Sequence, residues 1–161
     1  MLDPDVTARI RHIFLHYRPH VSISSATALL GWSRGEMNDA LAGGEIETMI
    51  TPLGKWIGRE ELMAKALEIW SHEIIEEALG DDAERVLPRA VRLAELRARV
   101  PRYQLTMLQY FAERDRTTIS SVLTKELEGV ASANAGELTS VIPDFAAAIE
   151  WPDPAAAKLP C

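Results

Sequence analysis

The sequence predicts a mostly α-helical protein that is built from two small modules and contains only a few short strands. Apolar residues recur at helical spacing through most of the chain. One short stretch near residue 96 has the two-residue repeat of a strand instead. The chain has 161 residues, of which 47% are hydrophobic and 25% charged, a globular balance with room for one domain or two small ones.

The first predicted element is an amphipathic helix over residues 5–18, which Pro19 ends. Its apolar side chains share one helical face and are Val6, Ile10, Ile13, Phe14 and Tyr17. A helix, a tight turn and a second helix follow. We expect Ser24 or Ser25 to cap the first of these two helices and Gly31 to end it.

The second of these helices begins with a cap of known type. Ser33 stands three residues before Glu36, the spacing of a capping box, and Gly43-Gly44 ends the helix. The "TPLG" at residues 51–54 then predicts a hairpin turn. From Arg59 the apolar pattern is helical again and predicts one long helix up to Gly80.

The Gly80-Asp81-Asp82 stretch is the predicted module boundary. It separates an N-terminal module, residues 1–80, from a C-terminal module, residues 81–151, and we expect the tail at 152–161 to be mobile. Residues 83–94 are predicted as a short helix that tolerates Pro88 or is kinked by it.

The C-terminal module begins with the one strand-like segment. Leu96, Ala98 and Val100 alternate with Glu95, Arg97 and Arg99, and Pro101 closes the run. A single short strand needs a partner, and no second strand of matching character lies nearby. The simplest pairing partner for this strand is the same segment of a second copy, which gives a homodimer with an intermolecular two-stranded antiparallel ribbon.

Two amphipathic helices follow the predicted strand, and Thr118 is a natural N-cap between them. One face of the first helix carries Leu105, Leu108, Phe111 and Ala112. The corresponding face of the second carries Ile119, Val122, Leu123 and Leu127. These two faces are the predicted core of the module.

Residues 94–128 resemble a ribbon-helix-helix DNA-binding domain, the family of the Arc and MetJ repressors. The order is a strand, Pro101, "YQLTMLQYFAER" as the first helix, "DRTT" as the turn and "ISSVLTKEL" as the second helix. The resemblance implies that the solvent-facing strand residues read base edges in the major groove of double-stranded DNA. Those residues are Glu95, Arg97 and Arg99, and arginine suits the task because it can donate two hydrogen bonds to guanine.

The resemblance also implies that the N-terminus of the second helix binds phosphate, here through Thr118, Ile119 and Ser120. Arg102 is a further basic residue that we expect to contact DNA. Two positions depart from the family pattern. Glu95 places an anion among the reading residues, and Arg116 stands where the family often has a glycine to end the first helix.

Residues 22–63 resemble, more loosely, the winged helix-turn-helix of excisionase and MerR-type regulators. The resemblance implies DNA contact by Arg34 and Asn38 on the second helix and by Lys55 on the wing. Four nearby acids oppose such contact because a duplex is strongly negative; they are Glu36, Asp39, Glu45 and Glu47. Both readings therefore stay open for this module, DNA contact and contact with a protein partner.

Charge, cysteine content and motifs limit the function classes. The net charge is -7, yet residues 85–116 hold eight arginines against three acids, a local balance of +5 that suits phosphate. The only cysteine is Cys161, so no internal disulfide and no Cys-based metal site is expected. His12 and His16 share a helical face but lack the partners of a metal site. We expect no enzyme, cofactor, metal or membrane segment, and a cytoplasmic location.

The resulting hypothesis is a homodimeric, sequence-specific transcriptional regulator of repressor type. The domains resemble those of many small bacterial repressors, which include antitoxins that repress their own operon, so an antitoxin role is a further hypothesis by analogy. The alternative is a dimeric adaptor that does not bind DNA. Such an adaptor would dock a protein through the acidic N-terminal module or through the apolar C-terminal segment with Phe145, Ile149 and Trp151. As a separate prediction, the C-terminal segment forms a short helix in which Phe145 and Ile149 face inward.

Overall fold

The computed structural model describes residues 1–152, so the predicted mobile tail at 152–161 lies outside them except for Pro152. The described chain is mostly helical with a small antiparallel sheet, so the mostly helical fold class is confirmed. Its helices are α1 (Pro4–Leu15), α2 (Ile23–Leu30), α3 (Arg34–Ala42), α4 (Arg59–Ile69), α5 (His72–Leu79), α6 (Ala83–Val86), α7 (Arg102–Arg114), α8 (Ile119–Ala133), α9 (Ala135–Val141) and α10 (Phe145–Glu150). Its strands are β1 (His20–Ser22), β2 (Thr48–Thr51) and β3 (Gly54–Gly58).

The sheet has the order β1-β3-β2, and both pairs of strands are antiparallel. β2 and β3 form the predicted hairpin, with Thr51 opposite Gly54 at the turn. β1 was not predicted, because a three-residue strand is too short to show a period of two. It places Val21 opposite Ile57, and both side chains are buried.

Capping residues fix the two helices that precede the hairpin. Gly31 ends α2 with a φ of 70°, a backbone conformation that glycine adopts at no steric cost. Ser33 and Glu36 form the predicted capping box of α3, and Gly43 follows its last residue. The prediction that Ser24 or Ser25 caps α2 is wrong: the cap is Ser22, whose hydroxyl accepts a hydrogen bond from the Ser25 amide at 3.1 Å.

The predicted long helix from Arg59 to Gly80 is two helices. α4 ends at Ile69, Trp70 is extended, and Ser71 caps α5 by accepting a hydrogen bond from the Ile74 amide. Both helices pack against α1, so the apolar pattern continues across the break. The break turns the chain and places the first turn of α5 beside the C-terminal helices.

The main core lies in the N-terminal part of the chain and surrounds α1. Ile10 and Ile13 are fully buried there, together with Ile57 and Leu62. The same cluster includes Ala83 and Leu87, which follow the Gly80-Asp81-Asp82 stretch. The predicted helix over 83–94 is much shorter than expected, since α6 ends at Val86 and Pro88 comes two residues later.

Residues 93–101 have no regular secondary structure, so the strand predicted near residue 96 is absent from the single chain. A strand requires a hydrogen-bonded neighbour, and one chain carries one copy of this segment. Residues 94–101 are exposed throughout.

The C-terminal helices lead back to the N-terminal core. Trp151 packs against α1, with its ring 6.3 Å from that of Phe14. The prediction that Phe145 and Ile149 both face inward is wrong for Ile149, which is 47% exposed at the end of a one-and-a-half-turn helix. In residues 1–152 no helix is long and apolar enough to cross a membrane.

Candidate nucleic-acid interface

Helices α7 and α8 are joined by a tight turn that both helix ends stabilise. The Thr117 amide donates to the Ala112 oxygen at 2.9 Å, and Thr118 caps α8 as predicted by accepting from the Ser121 amide at 3.0 Å. Arg116 lies in the turn between α7 and α8 and has a φ of 51°, which is rare for a residue other than glycine. The turn therefore keeps the left-handed conformation that a glycine would favour, and builds it with arginine.

Glu95 and Arg97 are paired with each other in the structure. The Arg97 Nε donates to Glu95 Oε1 at 3.0 Å, and both side chains are mostly exposed. The contact places both side chains on the same side of residues 95–97. Because an exposed ion pair contributes at most about 1 kcal/mol, a base edge could replace Glu95 at little cost. Arg99 and Arg102 are exposed nearby in sequence.

The N-terminus of α8 carries an anion from elsewhere in the chain. The Thr118 hydroxyl donates to Glu73 Oε2 at 2.5 Å, and the Ser121 hydroxyl donates to the same oxygen at 3.3 Å. Glu73 is the second residue of α5. Ile119 and Ser120, the other predicted phosphate-binding residues, are exposed.

The sequence does not single out Glu73, because the apolar pattern of residues 59–80 indicates one continuous helix. Within a continuous helix, Glu73 is one more polar side chain on a solvated face. A serine at position 71 is the one local signal of a new helix start, and it would have marked Glu73 as a first-turn acid. Its contact with α8 joins residues 45 positions apart, which no local pattern reveals.

Large apolar side chains remain exposed along the C-terminal module. Those that the strand and helix patterns predict to be buried include Leu96 at 66%, Val100 at 45%, Leu105 at 42% and Leu127 at 50% exposure. Of the residues in α7 and α8, Ala112 and Val122 alone are buried. The module in a single chain thus leaves much of its predicted core open to solvent.

The three predicted contacts of the N-terminal module lie on its surface. Arg34 is the first residue of α3, Asn38 is in the same helix, and Lys55 is near the start of β3, all exposed. Glu36 is also exposed on α3. The hydrogen bond from the Ser33 amide is the larger cause, and that from the Ser33 hydroxyl the smaller cause, of the lowered pKa of Glu36. This carboxylate therefore keeps its negative charge at neutral pH, and the exposed Asp39 lies on the same helix.

The structure brings together Glu95 with Arg97 and places Thr118, Ile119 and Ser120 at one helix end. Arg34, Asn38 and Lys55 belong to a different part of the fold. Among the described residues, no group of three or more metal-binding side chains is clustered. Comparisons with protein-family models, curated proteins and solved structures found no match to this chain.

Proposed function

We propose that this protein is a homodimeric, sequence-specific DNA-binding regulator of repressor type. Residues 94–100 of two copies pair as an antiparallel ribbon, and Arg97 and Arg99 of each copy enter one major groove. Helices α7 and α8 of both copies then close around a shared core. In this assembly the N-terminus of α8 contacts a phosphate through Thr118, Ile119 and Ser120, and Arg102 adds a further basic contact.

The exposed apolar side chains of the C-terminal module support the proposal most directly. Leu96, Val100, Leu105 and Leu127 are among the residues whose spacing predicts burial, yet each of these four is at least 42% exposed in one chain. Soluble monomers rarely leave a large apolar surface open unless it binds something. A second copy supplies the same set of side chains across a twofold axis and so covers both sets.

Charge distribution supports the choice of DNA as the ligand. The segment that carries the reading residues lies within the +5 stretch of a chain whose net charge is -7. A guanidinium placed on a guanine gives about 1–3 kcal/mol of discrimination per good pair. We further propose that the regulator acts in the cytoplasm. An antitoxin role is proposed only by analogy with small bacterial repressors that have this type of domain.

A selection of genomic fragments tests the proposal. Purified full-length protein is incubated with sheared DNA from its source organism, and the bound fragments are sequenced. Enrichment of a short, near-palindromic site is expected. The double variant Arg97→Ala/Arg99→Ala should weaken binding to that site at least about a hundredfold while remaining dimeric.

The double variant Arg18→Ala/Arg89→Ala is the matched control. It removes the same charge from two exposed arginines outside the proposed interface. It should lose much less affinity, because only general electrostatic attraction changes. Equal losses in the two double variants would contradict base reading by the ribbon.

The adaptor alternative is favoured by one observation. Helix α3 presents Glu36 and Asp39 to solvent, where a DNA-binding helix would carry basic or hydroxyl groups. If the wild-type dimer enriches no DNA but retains a co-purifying protein, the adaptor is the better description. Trp151 is then not the docking residue, since it packs against Phe14 of its own chain.

A further inference from the structure

We propose that Glu73 blocks the phosphate-binding N-terminus of α8 in the free protein, so that DNA must displace this carboxylate in order to bind. The inference rests on the proposed function. It concerns a contact that joins the two parts of the chain, defined here as the Glu73 contact: the Glu73 carboxylate with the hydroxyls of Thr118 and Ser121.

The geometry places one carboxylate oxygen between the starts of two helices. Glu73 is in the first turn of α5, and its Oε2 accepts from the cap residue of α8. Helix N-termini carry partial positive charge and unpaired amides, which favour an anion. The N-terminus of α8 therefore favours the Glu73 carboxylate, which accepts from two of its hydroxyls.

A phosphate oxygen would need the same donors. The Thr118 hydroxyl has one proton to donate, and its nearest acceptor is Glu73 Oε2 at 2.5 Å, against 3.1 Å for Ser121 Oγ. A carboxylate and a phosphate at this helix end would also repel each other. Binding of DNA through Thr118, Ile119 and Ser120 therefore requires the Glu73 contact to open.

The surroundings permit such opening. A cavity of about 730 Å³ lies between the α4–α5 corner and α7–α8, and Glu73, Thr117, Ser120 and Ser121 line it together with Lys125. Little apolar surface holds the two helices in place, since Ala112 and Val122 are their buried residues and neither belongs to the main core cluster. Sub-structures joined by small polar contacts commonly move relative to each other.

Glu73→Ala tests the inference, with Glu77→Ala as its matched control. Glu77 is exposed on the same helix, so the control makes the same change of charge and helix propensity without touching α8. Affinity is measured by fluorescence anisotropy with the fragment that the wild-type or Glu73→Ala protein enriches most. We expect Glu73→Ala to bind about tenfold more tightly than wild type and Glu77→Ala to differ much less, since intramolecular coupling of this kind is commonly worth 5- to 150-fold.

Glu73→Gln, which retains the size of the side chain, replaces Glu73→Ala if circular dichroism shows that the alanine variant is unfolded. Equal affinities for the Glu73 and Glu77 variants, or weaker binding by the Glu73 variant, would overturn the inference. If DNA binding persists in that case and still depends on Arg97 and Arg99, the proposed function stands. If none of the proteins enriches DNA, both the proposed function and this inference are overturned.

Discussion

The guanidinium of Arg59 donates a hydrogen bond to the main-chain oxygen of Ile13 at 2.7 Å, although the two residues lie 46 positions apart. The same guanidinium donates to the oxygens of His12 and Arg18. The His12 and Ile13 oxygens belong to the last turn of α1 and the Arg18 oxygen to the loop after it, and the His12 oxygen also accepts from the His16 amide at 3.3 Å. Arg59 is 7% exposed, and of its three hydrogen bonds the one to the Ile13 oxygen is buried, so water cannot easily replace Arg59 there.

Replacing Arg59 should therefore destabilise the N-terminal module. We expect Arg59→Met to lower the free energy of unfolding by about 2–4 kcal/mol, because the Ile13 and Arg18 oxygens lose this donor, the first of them in a buried site. Urea denaturation followed by circular dichroism measures the change. Arg18→Met, an exposed arginine in the same region, is the control and should change stability by less than about 0.5 kcal/mol. Equal effects would contradict the capping role of Arg59.

Two glycines near α3 should respond to alanine with opposite signs. Gly31 has a φ of 70°, and a Cβ there would lie 2.0 Å from Arg9 Nη1. Gly31→Ala should cost at least about 1–2 kcal/mol for the left-handed backbone, with a further cost for displacing Arg9 from its place over the Trp70 ring. Gly35 is in the first turn of α3, and a Cβ there would make one ordinary contact, at 3.8 Å to Ser33 Oγ, so Gly35→Ala should stabilise by about 0.5–1 kcal/mol. Thermal denaturation of both variants checks the signs, and a loss of stability at Gly35 would be the contrary result.

Asp82 should contribute stability that acid removes. Its carboxylate accepts from Arg85 at 2.8 Å and from Arg11 at 2.6 Å, and these hydrogen bonds, with Arg85 the larger cause, lower its pKa. A folded pKa below the unfolded value means that the contribution is complete above the unfolded pKa, about 3.9. It is then lost as the pH falls through the folded pKa.

The measurement is the difference in stability between wild type and Asp82→Asn at several pH values. The difference should be present at pH 7 and should shrink as the pH falls below about 4. Asp81→Asn is the control, since Asp81 is the exposed neighbour in the same turn. A difference for Asp82→Asn that is the same at pH 7 and at pH 3 would exclude the ion pairs as its cause.

The parts of the fold that the sequence predicts correctly are those fixed by neighbours in the chain. Ser33 and Glu36 form their capping box within one turn, and Thr118 caps α8 within three residues. The hairpin at Thr51–Gly54 likewise depends on local turn chemistry. These caps and turns depend on a few neighbouring residues, so they can be predicted without knowledge of the fold.

The parts that it does not predict depend on distant partners. Strand β1 exists because β3 lies beside it, and its presence moves the cap of α2 to Ser22. The break at Trp70 is hidden because the helices on either side bury apolar residues against the same α1. For the candidate interface, the alternation around Arg97 indicates its exposed side, whereas the Glu73 contact follows only from how α5 and α8 meet.

Arg116 offers a direct test of how the α7–α8 turn is built. Its φ of 51° costs a residue with a Cβ about 1–2 kcal/mol relative to glycine, partly offset by the greater entropy of glycine in the unfolded chain. We therefore expect Arg116→Gly to raise the free energy of unfolding by about 0.5–1 kcal/mol. Arg114→Gly should have the opposite effect, because Arg114 is helical, pairs with Asp115 and stacks on Phe111. Denaturant titration of both variants compares the signs, and destabilisation by Arg116→Gly would show that the arginine side chain makes a compensating contact.

The proposed dimer predicts different outcomes for two neighbouring residues of α7. Leu105 and Met107 are similarly exposed in the single chain, at 42% and 46%. They lie about 200° apart around the helix, and Leu105 alone is on the predicted core face. Leu105→Glu should raise the dimer dissociation constant by on the order of a hundredfold, because each copy would bury an unpaired carboxylate. Met107→Glu should leave the dimer intact. Sedimentation equilibrium over a range of protein concentrations measures both constants; a monomeric wild type, or equal weakening by the two variants, would show that this face does not join two copies.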